Sequence, residues 1–583
     1  MTYDLKIING TIVDGTGKPA YKADIAVKDG IISSIGEIKQ DAKRTIDAKG
    51  GIITPGFIDL HTHYDGQISW DSELKPSSIH GVTTIIMGSC GVGFAPCHKD
   101  DQQKLITLME GVEDIPGSAL SEGLKWDWET FPEYMNALDS MPHSIDFCVQ
   151  MTHDPLRVYV MRDRAVHNEQ ATKEDIEKMQ KLLREGLEAG AVGFSTGRTD
   201  NHRSGTGEHT PAAEAKEEEL IGLAKAFDGL NHGIIQAVSD FDMTISNDLF
   251  DKEYDILEKM AEASKHPLSI SLMQRDQSPN QWQWIIKRTE EANEKGIPIK
   301  LQVAARGIGV LLGLETTFHP FMGFPSYKKI SHLSLEERVK TMRDESFKAQ
   351  ILTEKSEKMA GDGSPIPPLA DLLLAQLDMI GMRMFKLGQN PNYEPSMKDS
   401  IGFQSKQKGE SVLSGLYDAI LENDGHALIY FPIYNYTEGN LDNIYKMMKH
   451  PLALAGLSDG GAHVGTVCDS SFPTFMLTHW SRDRQKDKLD LETVVNRQTK
   501  TIADFVGLKD RGTIEVGKKA DINVIDYNNL SLLPPKLIAD LPSGGKRLMQ
   551  NAIGYIATIV NGQVIAENGE LTGAMPGRLV RVK

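Results

Sequence analysis

The chain has 583 residues and a formal net charge of −18 at pH 7, with 63 Lys and Arg against 81 Asp and Glu. This charge argues against nucleic acid or an anionic membrane as a partner, because phosphate groups would repel the protein. The length exceeds that of one simple barrel and predicts a second domain or a large insertion.

The four cysteines are too few and too scattered to form a disulfide framework in a chain of this length, so we expect a reducing compartment. The first residues carry an early acid, Asp4, and no apolar stretch behind basic residues, which is unlike a secretion signal. No apolar run is long enough to cross a membrane. The expected location is therefore the cytoplasm.

Short strands separated by turns open the sequence, and the C-terminal end has the same texture. Asp29-Gly30 is a hairpin signal in the first set and Asn561-Gly562 in the second. Neither end offers enough strands for a stable sheet, which predicts one small β domain built from residues 1–54 and 500–583. The strand-like segments are 5–8, 11–13, 24–27, 31–35, 512–526 and 555–565.

Residues 55–63 read PGFIDLHTH, an apolar run that ends in two histidines. Side chains on a strand alternate between its faces, so His61 and His63 point the same way, about 7 Å apart. Two imidazoles converging at a strand end indicate a metal site, and a pair of satisfied interior histidines is the alternative. Pro55-Gly56, which interrupts regular secondary structure just before the run, favours the metal site.

Between residues 55 and 499, strand-like runs alternate with helix-like runs, which is the pattern of a barrel of parallel strands. A helix is predicted for 173–189, where apolar residues recur at three- and four-residue spacing. With the strand that ends at His61, the candidate strands outnumber the eight of a barrel. The others are 84–87, 144–149, 191–195, 233–238, 267–273, 298–303, 427–430 and 452–456.

Residues 316–397 interrupt this rhythm with several prolines among short helical pieces. Long excursions of this kind carry lids and binding loops, so we predict an insertion over the barrel mouth. A plain surface excursion is the alternative.

Three further segments complete a pattern that PGFIDLHTH begins. Residues 81–91 read GVTTIIMGSCG, 188–197 read EAGAVGFSTG and 457–460 read LSDG. In this order they resemble the N-acyl-D-amino-acid deacylase group of the amidohydrolase superfamily, over nearly the whole chain. The resemblance implies an α/β fold, a (β/α)8 TIM-type barrel with a small β-sandwich domain built from both termini.

The resemblance also implies roles for particular residues. Asp459 matches an aspartate that ends the eighth barrel strand, binds metal and moves a proton, although Ser-Asp-Gly-Gly is also good turn chemistry. Cys90 matches a cysteine that binds or bridges zinc, with burial as a small apolar side chain as the alternative. Together with His61 and His63 they form a set for one zinc ion with an open water position.

The sequence departs from the family at two positions. The family places two more zinc-binding histidines at the ends of the fifth and sixth strands, and Val238 and Leu272 stand at their best counterparts. Neither side chain can bind a metal. We therefore predict about one tightly held zinc ion per chain.

Substrate recognition is less constrained by the sequence. An acyl amino acid needs a carboxylate clamp, which arginine supplies, and Arg306 near a predicted strand end is favoured over three other arginines. A surface ion pair is the alternative for each of them. His153 and His463 are candidate donors to the substrate, and each is equally suited to a structural role. The other arginines are Arg157, Arg162 and Arg275.

These features predict a metal-dependent amidohydrolase that cleaves the non-peptide amide bond of a small molecule. Asp459 would take a proton from water and pass it to the leaving amine. A cyclic amide substrate and a catalytically silent ligand-binding barrel are the alternatives, the second motivated by Val238 and Leu272. Retention of both histidines of the HTH motif with Asp459 weighs against silence, because no packing rule demands that trio.

Overall fold

A computed structural model of the protein describes residues 2–241, 247–360, 366 and 368–583. In the described chain, eight parallel strands follow one another in the sheet in sequence order. The first and last strands meet through two backbone hydrogen bonds, from His63 N to Gly460 O (2.7 Å) and from Asp459 N to His61 O (3.1 Å). The predicted barrel is thereby confirmed. Its strands, numbered 1 to 8 below, are Phe57–Thr62, Val82–Met87, Asp146–Thr152, Gly193–Arg198, Ile234–Ser239, Leu268–Leu272, Ile299–Val303 and Ala453–Ala455.

Helices cover the outside of the barrel and bury the outward faces of its strands. The helix predicted for 173–189 is Lys173–Glu188, which begins with a capping box between Thr172 and Asp175 and buries Leu183 and Leu187. No helix in the described ranges combines the length and apolar content that crossing a bilayer requires. The main surrounding helices are Gln102–Glu113, Gly117–Gly123, Phe131–Asp139, His153–Met161, Glu217–Ala224, Asn247–Ser264, Gln281–Glu294, Asp442–Lys449, Leu491–Gln498 and Lys500–Val506.

Strands from both ends of the chain form a β-sandwich beside the barrel. Ile53 pairs with Val524 across the larger sheet, and one apolar core joins that sheet to the smaller one. The division of the chain at residues 54 and 500 stays a prediction, and helix Lys500–Val506 packs on the barrel strands. The smaller sheet contains Tyr3–Ile8, Asp24–Lys28, Ile31–Gly36 and Ala42–Asp47. The larger contains Thr11–Ile12, Tyr21–Lys22, Ile52–Pro55, Ile522–Ile525, Tyr555–Val560, Gln563–Glu567 and Glu570–Leu571.

The chain between barrel strands 7 and 8 makes a long excursion with a core of its own. This excursion is wider than the predicted 316–397, because a small antiparallel sheet at its base extends from residue 309 to residue 432. The strand predicted at 427–430 belongs to that sheet and not to the barrel, since a four-residue apolar run looks the same in either. The sheet contains Gly309–Leu312, Phe385–Lys386 and Ile429–Pro432. The helices include Leu335–Met342, Glu345–Ile351, Pro368–Leu374, Leu377–Ile380, Ile401–Gln407 and Val412–Ile420.

Candidate metal centre

His61, His63 and Asp459 meet where the first and last barrel strands join. The two imidazole rings lie on the same side of strand 1, with their centroids 5.4 Å apart. Asp459 Oδ1 lies 3.3 Å from Nε2 of His61 and 3.8 Å from Nε2 of His63. The three side chains come together because Asp459 N donates to the carbonyl of His61, so that the aspartate is held beside the histidine strand.

Cys90 reaches the same point from the loop after strand 2. Its backbone has a left-handed conformation (φ 56°), and its backbone N–H donates to Oε1 of Gln236 at 2.8 Å. This turn brings Sγ to 3.2 Å from Nε2 of His61. One ligand atom each of His61, His63 and Cys90 therefore fits within 4.8 Å of the other two.

A second side chain orients each histidine ring. His61 Nδ1 lies 2.8 Å from Oε1 of Gln302, which can only accept, so Nδ1 carries a proton and Nε2 is the nitrogen that faces Cys90. His63 Nδ1 lies 2.9 Å from Oε1 of Glu113, a fully buried carboxylate at the end of helix Gln102–Glu113. Partners of this kind fix the tautomer and orientation of metal-binding imidazoles. Glu113 stands in no recognisable motif, so it could not be identified from the sequence.

Opposite charges dominate the electrostatics of this cluster. Burial raises the pKa of Glu113, but the electrostatic influence of the nearby His63 and His463 rings outweighs burial and brings this pKa down to about 2. Burial lowers the pKa of His63, and Glu113 and Cys90 reverse the direction and hold it well above its usual value. Burial raises the pKa of Cys90, yet the imidazoles of His61 and His63 bring it below its ordinary value. A buried thiolate beside carboxylates thus requires positive charge between them.

The donor set suits a zinc ion. With both Nδ1 atoms protonated, the cluster offers two imidazole nitrogens, one thiolate and the carboxylate of Asp459. Nitrogen, sulfur and oxygen ligands in this number are those of Zn²⁺, whereas Mg²⁺ and Ca²⁺ prefer oxygen ligands alone. A divalent ion would supply the positive charge that ring protons otherwise provide. We refer to His61, His63, Cys90, Glu113 and Asp459 as the floor of the pocket.

Val238 and Leu272, which stand where the family has histidines, differ in whether they face the pocket. Val238 on strand 5 lines the pocket above the floor, so an apolar side chain stands on the wall there. Leu272 is buried in the main core, and the residues on either side of it, Ser271 and Met273, line the pocket instead. The pocket-facing position on strand 6 is therefore one residue away from Leu272, and neither neighbour is a histidine.

His463 lies on the pocket wall beside the floor. Its Nε2 is 3.7 Å from Oε2 of Glu113, and its side chain is 28% exposed. His202, which sequence reasoning missed because it stands in no motif, lies on the same wall with its ring centroid 6.3 Å from that of His463. Burial lowers the pKa of His202 to about 4, so this ring is neutral at pH 7.

The other two predicted substrate residues lie away from the described pocket wall. His153 has both ring nitrogens engaged, by Thr196 Oγ1 and Glu219 Oε1 at 2.9 Å each. Arg306 contacts Asp469 Oδ1 (3.1 Å) and donates to the carbonyl of Cys468 (2.9 Å). Its guanidinium also stacks over the Tyr393 ring. These contacts give both side chains structural partners.

A cavity of about 590 Å³ opens between the floor and the excursion. This volume is in the range of sites for small organic ligands. The structure therefore joins a candidate zinc centre to a pocket at the C-terminal end of the barrel strands, where barrel enzymes carry their active sites.

Known proteins resemble this chain over most of its length. The chain matches the profile Amidohydro_3, the amidohydrolase family, over residues 44–362 and 431–566. D-aminoacylase of Alcaligenes xylosoxydans xylosoxydans is 25% identical over 582 residues, which cover 99% of this chain and 97% of that enzyme.

Two solved structures share the fold over the full length of both chains. The N-acyl-D-glutamate deacylase of Bordetella bronchiseptica, complexed with zinc and a phosphonate inhibitor, has a TM-score of 0.64 and 22% identity. A D-aminoacylase described by its binuclear metal centre, with one-metal activation and second-metal attenuation, has the same TM-score of 0.64 and 22% identity.

Proposed function

The chain belongs to the amidohydrolase family, and from this premise we propose that it cleaves the amide bond of a small N-acyl compound, using one zinc ion. It is a hydrolase that acts on C–N bonds other than peptide bonds. The observation that carries the proposal is the convergence of His61, His63, Cys90 and Asp459. The Nδ1 atoms of the two histidines face Gln302 and Glu113, which leaves both Nε2 atoms turned toward the cluster.

A single ion is the stoichiometry that the ligands support. The pocket-facing positions on strand 5 and around the end of strand 6 carry Val238, Ser271 and Met273, which leaves no imidazole for a second strong site there. The solved D-aminoacylase is described as activated by one metal and attenuated by a second. One-metal chemistry in this chain is in accord with that description.

Asp459 and Glu113 of the floor, together with His463 on the wall, would each have a task in such a reaction. A zinc ion held by His61, His63, Cys90 and Asp459 would polarise a carbonyl as a Lewis acid and acidify water. Asp459 takes a proton from water and delivers it to the amide nitrogen as the C–N bond breaks. His463, on the pocket wall beside the floor, would donate to the oxygen that gains negative charge. Glu113 keeps the proton of His63 on Nδ1, which leaves Nε2 free to bind the ion.

The test is to remove metal with a chelator and add zinc back while N-acyl substrates are hydrolysed. Activity should return in proportion to the first equivalent of zinc and stop rising at the second. Cys90→Ala should need far more zinc for the same recovery, because a thiolate ligand is lost. Cys97→Ala is the matched control, as Cys97 is equally buried but outside the ligand set. Equal zinc requirement in the two variants would remove Cys90 from the site.

A further inference from the structure

We infer that the substrate is an uncharged amide with an extended apolar acyl chain, and that it needs no free carboxylate. This inference rests on the proposed function, because it names the compound that the same floor would cleave. It departs from the acyl amino acids in the names of the relatives, and it comes from the composition and charge of the pocket wall.

The upper wall of the cavity is apolar. The small sheet of the excursion contributes Val310 and Phe431, and the helices Pro368–Leu374 and Leu377–Ile380 contribute Leu373, Leu374 and Ile380. A wall of this kind gains free energy from contact with methylene groups and offers few hydrogen bonds to a polar head. A flexible alkyl chain therefore fits it better than a compact polar side chain.

The charged residues on the wall disfavour an anion. The acids there include Asp240 and Glu315, whereas the single cation among the described wall residues other than histidine is Lys546. Lys546 Nζ is already 2.7 Å from Oε1 of Glu315, and its side chain is about half exposed at the rim. A substrate carboxylate would therefore enter acidic surroundings without a free partner.

No arginine of the described chain lines this wall, and the residues outside the described ranges include neither lysine nor arginine. Arg275 lies behind the wall, where it donates to the carbonyl of Ser239 at 2.8 Å. Arg306 is held by Asp469, as described above. The carboxylate clamp expected for an acyl amino acid is thus absent from the described pocket.

Turnover and binding test the inference separately. Wild-type enzyme is assayed with two series of substrates, N-acyl-D-alaninamides and N-acyl-D-alanines, each with butanoyl, hexanoyl and octanoyl chains. At equal chain length the two series differ in one group, a neutral carboxamide in the first and a carboxylate in the second. We expect kcat/KM to rise about fourfold per added methylene, and the alaninamide to be preferred at least ~10-fold over the carboxylate at equal chain length. Preference for the carboxylate, or no dependence on chain length, would overturn the inference while leaving the proposed function intact.

Binding to Asp459→Asn, which should not hydrolyse the ligands, is measured by calorimetry. Affinity for the alaninamides should rise with chain length, and the heat capacity change should become more negative with each methylene. If no amide is hydrolysed although the chains bind in this way, the proposed function fails and the pocket assignment stands. Chain-independent binding overturns the assignment.

Neighbouring leucines on one helix give a matched pair of variants. Leu374→Asn replaces a partly buried wall residue and should reduce the gain per methylene, whereas Leu372→Asn changes a side chain that is 61% exposed and should leave it unchanged. Val310→Thr, a near-isosteric change on the small sheet, repeats the test without altering the helix. If Leu374→Asn and Val310→Thr both behave like Leu372→Asn, the apolar wall does not bind the substrate.

Discussion

The floor of the pocket and its roof, the excursion from residue 309 to residue 432, are built in opposite ways. The floor holds polar side chains, most of them buried, near the ends of barrel strands and of one helix. Each of its two histidines has a partner side chain, Gln302 for His61 and Glu113 for His63. The roof presents apolar side chains from short helices, one of which leaves Leu372 61% exposed. The candidate catalytic residues thus lie on the rigid barrel, and the residues that would select the substrate lie on the excursion. In such an arrangement the substrate class can change while the reaction type stays the same.

The largest effect should come from the floor, with Asp459→Asn. The amide keeps an oxygen for the metal but cannot shuttle a proton, so hydrolysis should fall by ~10²- to 10⁴-fold while substrate binding persists. The control is Asp240→Asn, which removes a wall acid outside the ligand set and should cost less than ~10-fold, since it takes no proton. Near-full activity of the Asp459 variant would refute the proposed mechanism and blur the distinction between floor and roof.

Glu113→Gln should weaken zinc binding by ~10- to 100-fold, the usual cost of losing a carboxylate behind a metal-binding imidazole. The readout is competition with a chelator of known affinity. Glu110→Gln is the matched control, because Glu110 stands on the same helix, is exposed, and accepts a hydrogen bond from Gly117 N at 2.9 Å. Identical affinities in the two variants would mean that Glu113 does not support His63.

Glu394→Gln tests how the roof is joined to the barrel. Glu394 contacts His479 Nε2 and Arg484 Nη2, both at 2.9 Å. Burial raises its pKa, but hydrogen bonds from these two side chains lower it to about 2. A depressed pKa stabilises the folded state above the ordinary value of 4.5, and this contribution is lost as pH falls from there toward 2.

At pH 7 the substitution should lower the free energy of unfolding by about 1–2 kcal/mol, after allowance for solvent screening. Thermal unfolding of both proteins should show a gap at pH 7 that narrows as pH falls below 4.5. Glu129→Gln, which breaks the exposed pair with His98, is the control and should leave a much smaller gap. A gap that stays constant down to low pH would exclude this ion-pair cluster as the cause.

The sequence predicted the floor better than the roof. His61 and His63 are two residues apart on one strand, so the period of the strand places them together without tertiary information. Glu113 is 50 residues from His63 in the chain and belongs to no motif, so only the folded barrel brings it there. On strand 6, Leu272 was predicted to stand where the family has a histidine, but its neighbours Ser271 and Met273 face the pocket instead. An error of one residue on a strand is enough to exchange the two faces of the sheet.

The extent of the roof could not be predicted from the sequence, and neither could the partners of Arg306 and His153, because both depend on tertiary contacts. The apolar run at 427–430 satisfies a barrel strand and a small antiparallel sheet equally well, and pairing with Gly309–Leu312 decides between them. Arg306 stands near a strand end as expected, and His153 directly follows strand 3. Buried acids, Asp469 and Glu219, hold the two side chains away from the described wall. Such pairings depend on contacts between residues far apart in the chain.

The zinc content of protein purified without chelator tests the central claim most directly. We expect about one tightly held equivalent per chain in the wild type and in Cys97→Ala, and a large loss of metal in a double variant with His61→Ala and His63→Ala. Two equivalents at high occupancy in the wild type, or full retention of zinc in the double variant, would contradict a single ion held by this floor.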